Sequence, residues 1–218
     1  ITANGNTSYG VYLTNSTAFA AQDSIFTNEY DILKSGEIYA KVDGSIGLLI
    51  KGDTAVIKTP QGINKGIIES GVNTVSGIDA VGVYVENGKF INDKTAVYTG
   101  LIKSNLASTE PSPGLIIAGS IAVSAKDAEV VNKGNIISEY VGIYSEDSKI
   151  EHQGDISILS GTGIIGKRTT APGADSSVIL DTDTVTGSAS KITGTVNGLT
   201  GVLALDGTKV TLKNSDIS

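Results

Sequence analysis

The chain has 218 residues, enough for one large domain or a run of repeats, and its 39% hydrophobic content allows a buried core. Aromatics are few (eight Tyr, three Phe, no Trp), so that core must be built from Ile, Val, Leu and Ala. A net charge of −7 argues against nucleic acid as a partner, and the absence of Cys excludes disulfide scaffolds, thiolate metal sites and thiol nucleophiles.

In chain order, one motif recurs. It reads Tyr9-Gly10-Val11-Tyr12, Ile46-Gly47-Leu48-Leu49, Val81-Gly82-Val83-Tyr84, Ile121-Ala122-Val123-Ser124, Val141-Gly142-Ile143-Tyr144, Thr162-Gly163-Ile164-Ile165 and Thr200-Gly201-Val202-Leu203. The steps between its small residues are 37, 35, 40, 20, 21 and 38. A unit near 20 fits, the longer steps being doubled or inserted units. Residues 121–138 align on 141–158 without gaps. Each of these units holds three short apolar runs separated by turn residues, and no apolar run has helical period. Three such strands cannot bury a face alone, but stacked units can. The expected fold is therefore all-β, a parallel β-helix (solenoid) with inserted loops. Residues 1–218 form a single β-helix segment. Seven coils, or up to about eleven if the long steps are doubled, predict a rod of roughly 35–55 Å. Residues 104–114 and 166–176 read as projecting loops, the first with Pro111 and Pro113, the second with Arg168. No run reaches the roughly 18 apolar residues of a membrane span, so no membrane insertion by this segment is expected.

Strand alternation predicts that Val81, Val83 and Val85 face inward and Gly82 and Tyr84 outward, with Val141 and Ile143 inward and Tyr144 outward. The outward position of successive motifs then reads Tyr12, Leu49, Tyr84, Ser124, Tyr144, Ile165, Leu203. An apolar outward stripe is either a binding face or a face covered by a loop or by another part of a longer protein. At the turns, Asn64, Asn92, Asn132 and Asn214 recur, and His152 takes the same place in its own unit. Stacked Asn side chains can hydrogen-bond from coil to coil, so these residues read as a structural ladder, His152 included, and not as a catalytic site.

The catalytic and cofactor signals are weak. Gly161–Lys167 resembles a phosphate-binding loop but continues into Arg168 where Ser or Thr is needed, with no helix to follow. Asp181 and Asp183 form a carboxylate pair of the kind glycosidases use, with no basic residue close in sequence. No His, Asp or Glu cluster has metal-ligand spacing, and the Ca²⁺-binding nonapeptide is absent. No catalytic residue, metal or cofactor is expected, and the chain does not read as an enzyme.

The units Val141-Gly-Ile-Tyr…His-Gln-Gly-Asp-Ile156 and Val131-Asn-Lys-Gly-Asn-Ile-Ile137 resemble the GIY…NxGxI repeats of passenger domains in large type V autotransporter adhesins of Gram-negative bacteria. The resemblance covers 45–218 well and 1–44 loosely. It implies a right-handed parallel β-helix that is a fragment of a longer passenger. It also implies secretion to the cell surface, anchorage through an outer-membrane domain outside this chain, and adhesion to host or neighbouring cells through a protein or glycan receptor. The absence of Cys fits that route. Two other functions stay open: a β-helical polysaccharide hydrolase, lyase or tailspike, and an inert structural spacer.

Overall fold

The computed structural model describes residues 1–218 except 4–7, 16–23, 30–35, 41–44, 56–58, 71–80, 97–98, 105–120, 170–175 and 195–198. The described residues form strands joined by turns, and each motif opens one coil. The coils run β2 (Tyr9–Thr14), β3 (Ile25–Asn28), β4 (Glu37–Ala40); β5 (Ile46–Lys51), β6 (Gln61–Asn64), β7 (Ile67–Ser70); β8 (Val81–Glu86), β9 (Lys89–Asn92), β10 (Leu101–Ser104). They continue β11 (Ile121–Lys126), β12 (Glu129–Asn132), β13 (Asn135–Ser138); β14 (Val141–Glu146), β15 (Lys149–His152), β16 (Asp155–Ile158). The last two are β17 (Thr162–Lys167), β18 (Ser177–Leu180), β19 (Ser190–Gly194) and β20 (Thr200–Leu205), β21 (Lys209–Leu212), β22 (Ser215–Ile217). A short β1 (Thr2–Ala3) precedes them.

Successive coils stack in register to make three parallel sheets, the architecture of a parallel β-helix solenoid. The six-residue strands opening each coil form a seven-stranded sheet, here sheet I, in the order β2-β5-β8-β11-β14-β17-β20. The second strands form the seven-stranded sheet II, β3 to β21, and the third strands join β1 in the eight-stranded sheet III. Because β5 pairs directly with β8, and β8 with β11, the long steps hold insertions and not doubled coils. Residues at the start of both expected loops lie in strands. Ser104 closes β10, and Gly166 and Lys167 close β17, the strand formed by the phosphate-loop look-alike. The rest of 104–114, and residues 170–175 of the second loop, lie outside the described residues.

The interior is built of side-chain columns running along the stack. Sheet III contributes Ile38, Ile68, Ile102, Ile136, Ile156 and Ile192, each in register with the next and at most 3% exposed. Sheet I contributes Leu48, Val83, Val123, Ile143 and Ile164, and sheet II Phe90, Val130, Ile150 and Val178, all buried. β-Branched side chains suit such columns because each lies against an identical neighbour on a pleated surface. The sheet II column continues to Val210 and the sheet III column to Ile217, which stand 37% and 44% exposed.

Sheet I departs from simple alternation. In β8 both Gly82 and Val83 are buried, while Val81 is only half-buried, and β14 repeats this at Gly142, Ile143 and Val141. The expectation that Val81 and Val141 face inward with Gly82 outward is therefore reversed. The ladder skips the glycine position, pairing Val81 with Ile121 and then Val83 with Val123. Alternation restarts at that residue, where two successive positions of the strand are buried. A Cβ on Gly82 would lie 2.7 Å from the Ala122 oxygen and 3.0 Å from Ile102 Cγ2. That crowding, and not a solvent-facing role, is why the motif keeps Gly, or once Ala, at its second position.

Candidate functional site

The outward face of sheet I carries the stripe residues in one register column. Tyr12 pairs with Leu49, Leu49 with Tyr84, Tyr84 with Ser124, Ser124 with Tyr144, Tyr144 with Ile165, and Ile165 with Leu203. The two ends are open, Tyr12 at 54% and Leu203 at 38% exposed, and Tyr84, Ser124, Tyr144 and Ile165 are half-buried. Leu49 is a correction: it occupies the column but is only 7% exposed, so it offers a partner no free surface. The restart of alternation at the motif glycine adds a second outward column that strand alternation alone does not predict. Tyr9, Ile46, Val81, Ile121 and Val141 are in register, followed by Thr162 and Thr200. The Tyr9 and Tyr12 rings, one in each column, lie 5.9 Å apart. The apolar face is therefore two columns wide.

Charges of alternating sign line one edge of this face. The last positions of the sheet I strands read Lys51, Glu86, Lys126, Glu146, Lys167. Lys51 Nζ lies 3.3 Å from Glu86, and Lys167 Nζ lies 4.0 Å from Glu146. Tyr144 donates its hydroxyl to Glu146 at 3.0 Å, and Tyr84 to Glu86 at 3.5 Å. Both phenols are raised above their ordinary range, Tyr84 by burial and then the Glu86 charge, Tyr144 by burial and then the Glu146 hydrogen bond. Sheet II repeats the device with Lys89, Glu129 and Lys149, and the turn after it with Glu29 to Lys65, Asp93 to Lys133 and Asp181 to Lys213. Opposite charges directly across a ladder stabilise the register and like charges oppose it.

The ladder runs inside the corner between sheets II and III. Asn28 Nδ2 donates to Asn64 Oδ1 at 2.8 Å, Asn64 to Asn92 at 2.9 Å, and Asn92 to Asn132 at 2.8 Å. Asn132 Nδ2 then meets His152 Nδ1 at 3.1 Å, and His152 Nε2 meets the Lys191 carbonyl oxygen at 3.0 Å. An amide N–H facing Nδ1 and a carbonyl facing Nε2 require neutral imidazole with its proton on Nε2. Burial lowers the His152 pKa to about 4, against smaller opposing effects of the Lys191 carbonyl and the Asp155 charge. A buried neutral ring with both nitrogens engaged is a rung of the ladder. These residues end four-residue strands and point inward, and do not sit in exposed turns. Asn28 belongs to the ladder and was missed. Asn214 does not belong: Leu180 and Leu212 take the ladder positions of the last two coils, and Asn214 donates to Thr182 Oγ1 at the surface. Beside the ladder the coils approach so closely that a Cβ on Gly154 would overlap the Gly134 oxygen.

The Asp181 and Asp183 pair is brought to two lysines distant in sequence. Lys213 Nζ lies 2.7 Å from Asp181, and Lys94 Nζ 2.6 Å from Asp183. Burial raises the Asp183 pKa, but the Lys94 hydrogen bond and the Val185 and Thr186 amides outweigh it and hold it to about 2. The hydrogen bond from Lys213 likewise lowers Asp181. Neither carboxyl is arranged to keep a proton at neutral pH, as a glycosidase acid must. Among the described residues no group of three or more His, Cys, Asp or Glu could hold a metal ion, and no helix is long and apolar enough to cross a membrane. Compared with protein-family models, curated proteins and solved structures, the chain matches none.

Proposed function

We propose that this chain is an adhesive segment of a secreted bacterial surface protein, and that the outward face of sheet I is its contact surface. The observation that carries the reading is the double column of Tyr and aliphatic side chains lying in register beside the row of alternating charges at the strand ends. Four of the five charges in that row pair with one another, which leaves the apolar strip as the larger contact surface of this face. Tyrosine supplies large contact area at low entropic cost. On this reading the protein acts outside the cell, held by an outer-membrane domain beyond this chain, on a protein or glycan receptor of a host or neighbouring cell.

The test is binding of segment-coated beads to epithelial cells and to bacteria. The comparison is a variant with Tyr12, Tyr84 and Tyr144 all changed to Ser, with folding checked by circular dichroism. Binding by the wild type that the folded variant loses supports the reading. No binding by the wild type makes this segment a spacer. Binding that the variant retains moves the contact surface off the stripe.

A further inference from the structure

A second surface lies on sheet III, away from the stripe. The outward residues of β13, β16 and β19 form an open groove of about 240 Å³ lined by Asn135, Ile137, Asp155, Ser157, Lys191 and Thr193. They stand in register: Asn135 with Asp155 and Lys191 in one column, Ile137 with Ser157 and Thr193 in the other. On sheet I, sheet II and the turn, opposite charges in neighbouring coils pair off. Asp155 and Lys191 are neighbours of opposite charge in the same way, yet no ion pair joins them. The side chains of Asn135, Asp155 and Lys191 form no hydrogen bond with the described residues. The two hydroxyls make only long contacts: Ser157 Oγ and Thr193 Oγ1 lie 3.4 Å apart, and Thr193 Oγ1 donates to the Ile156 carbonyl oxygen at 3.5 Å. The groove thus presents an amide, a carboxylate, an ammonium and two hydroxyls along three coils.

We infer that this groove binds a neutral oligosaccharide lying along the stack axis. Each strand's backbone groups are already bonded to strands on both sides, so a peptide cannot add to this sheet by main-chain pairing. A ligand here must be read by side chains alone. Lys191 stands in register between Asp155 and Asp216, so the column carries two carboxylates to one ammonium, which disfavours a polyanion, and the mixed donors and acceptors match hydroxyl groups that both donate and accept. The coil spacing of about 4.8 Å is close to the advance of one pyranose ring in an extended chain, so successive rings meet equivalent positions. The volume is below the roughly 300–1,000 Å³ of enclosed pockets, so one or two rings fit and binding is weak. This groove stands independently of the stripe on sheet I.

The experiment is saturation-transfer NMR on the intact chain with three probes: cellotriose and chitotriose as neutral saccharides, and trigalacturonate as an anionic one. It is repeated on Asp155→Ala, Lys191→Ala and Asn135→Ala, and on the triple Tyr-to-Ser variant. Transfer to a neutral trisaccharide is expected, with at least a tenfold loss of affinity in Asp155→Ala or Lys191→Ala and none in the triple Tyr variant. The Lys191 substitution leaves intact the backbone oxygen that His152 uses, and matching melting curves show each variant folded. Absence of transfer to both neutral probes overturns the inference. So does a preference for trigalacturonate, or transfer unchanged in all three groove variants.

Discussion

His152 sits at the end of a run of amides, and this placement makes the stability of the rod pH-dependent in a defined window. In the unfolded chain the imidazole takes up a proton near pH 6.5, but in the fold only near 4. Between those values the unfolded state binds more protons than the folded one, so stability rises with pH. The contribution is fully present above 6.5, declines as pH falls through the window, and is exhausted below 4. The gap between the two values corresponds to about 3 kcal/mol. His152→Asn is the perturbation that isolates it. An Asn there continues the amide ladder, accepting from Asn132 and reaching towards the Lys191 carbonyl, and does not titrate. Urea unfolding followed by circular dichroism at a series of pH values from 7.5 to 4 should show a wild-type loss of that order. His152→Asn should show a much flatter profile and lie near wild type at pH 7. The held-down Asp183 also loses stability as pH falls, but only between about 3.8 and 2, below the His152 window. Equal slopes for the two proteins between pH 6.5 and 4 would falsify the burial of a neutral ring.

Other substitutions test neighbouring parts of the account. Asn92→Ala removes three hydrogen bonds, from Asn64 Nδ2 to Asn92 and from Asn92 Nδ2 to Asn132 Oδ1 and the Asn135 carbonyl oxygen, and should cost about 3 kcal/mol in urea unfolding. Gly154→Ala forces a methyl onto the Gly134 oxygen and should cost at least about 2 kcal/mol by the same measure, while Ala122→Gly, which removes a fully buried methyl and frees the unfolded backbone, should cost about 1 kcal/mol. Glu86→Lys sets three like charges in one column with Lys51 and Lys126. That should lower stability by about 0.5–1 kcal/mol at low salt, with most of the loss recovered in 1 M NaCl.

Much of the architecture was legible because the repeat writes each coil in similar letters. The motif spacing located every strand of sheet I, and aligning the motifs put Tyr12 through Leu203 in their observed register. The Asn residues of 64, 92 and 132 announced the ladder through their shared place before Lys-Gly or Asp-Lys. Asn28 did not, because Glu29 follows it and the chain then departs from the pattern before Gly36. The second outward column was hidden by a local event: alternation breaks inside the strand, where Gly82 and Val83 are both buried. A Gly or Ala recurring at one position, with no turn around it, was the available sign of that break. Asn214 misled because it follows a strand, as a turn residue does, while Leu212 holds the interior position. The pairing of Lys94 with Asp183, 89 residues apart, was beyond any local reading, since only the stacking of coils brings those turns together.

The central claim is that each motif is one coil, so that Tyr12 and Leu203 are the two ends of a single seven-strand column. The chain has no Cys, so Tyr12→Cys with Leu203→Cys gives a clean pair of sites for nitroxide labels and pulsed electron–electron distance measurement. Six strand spacings predict a separation centred near about 30 Å. A centre near about 50 Å, as doubled coils in the long steps would produce, or a distribution with no maximum, would contradict the stacking described here.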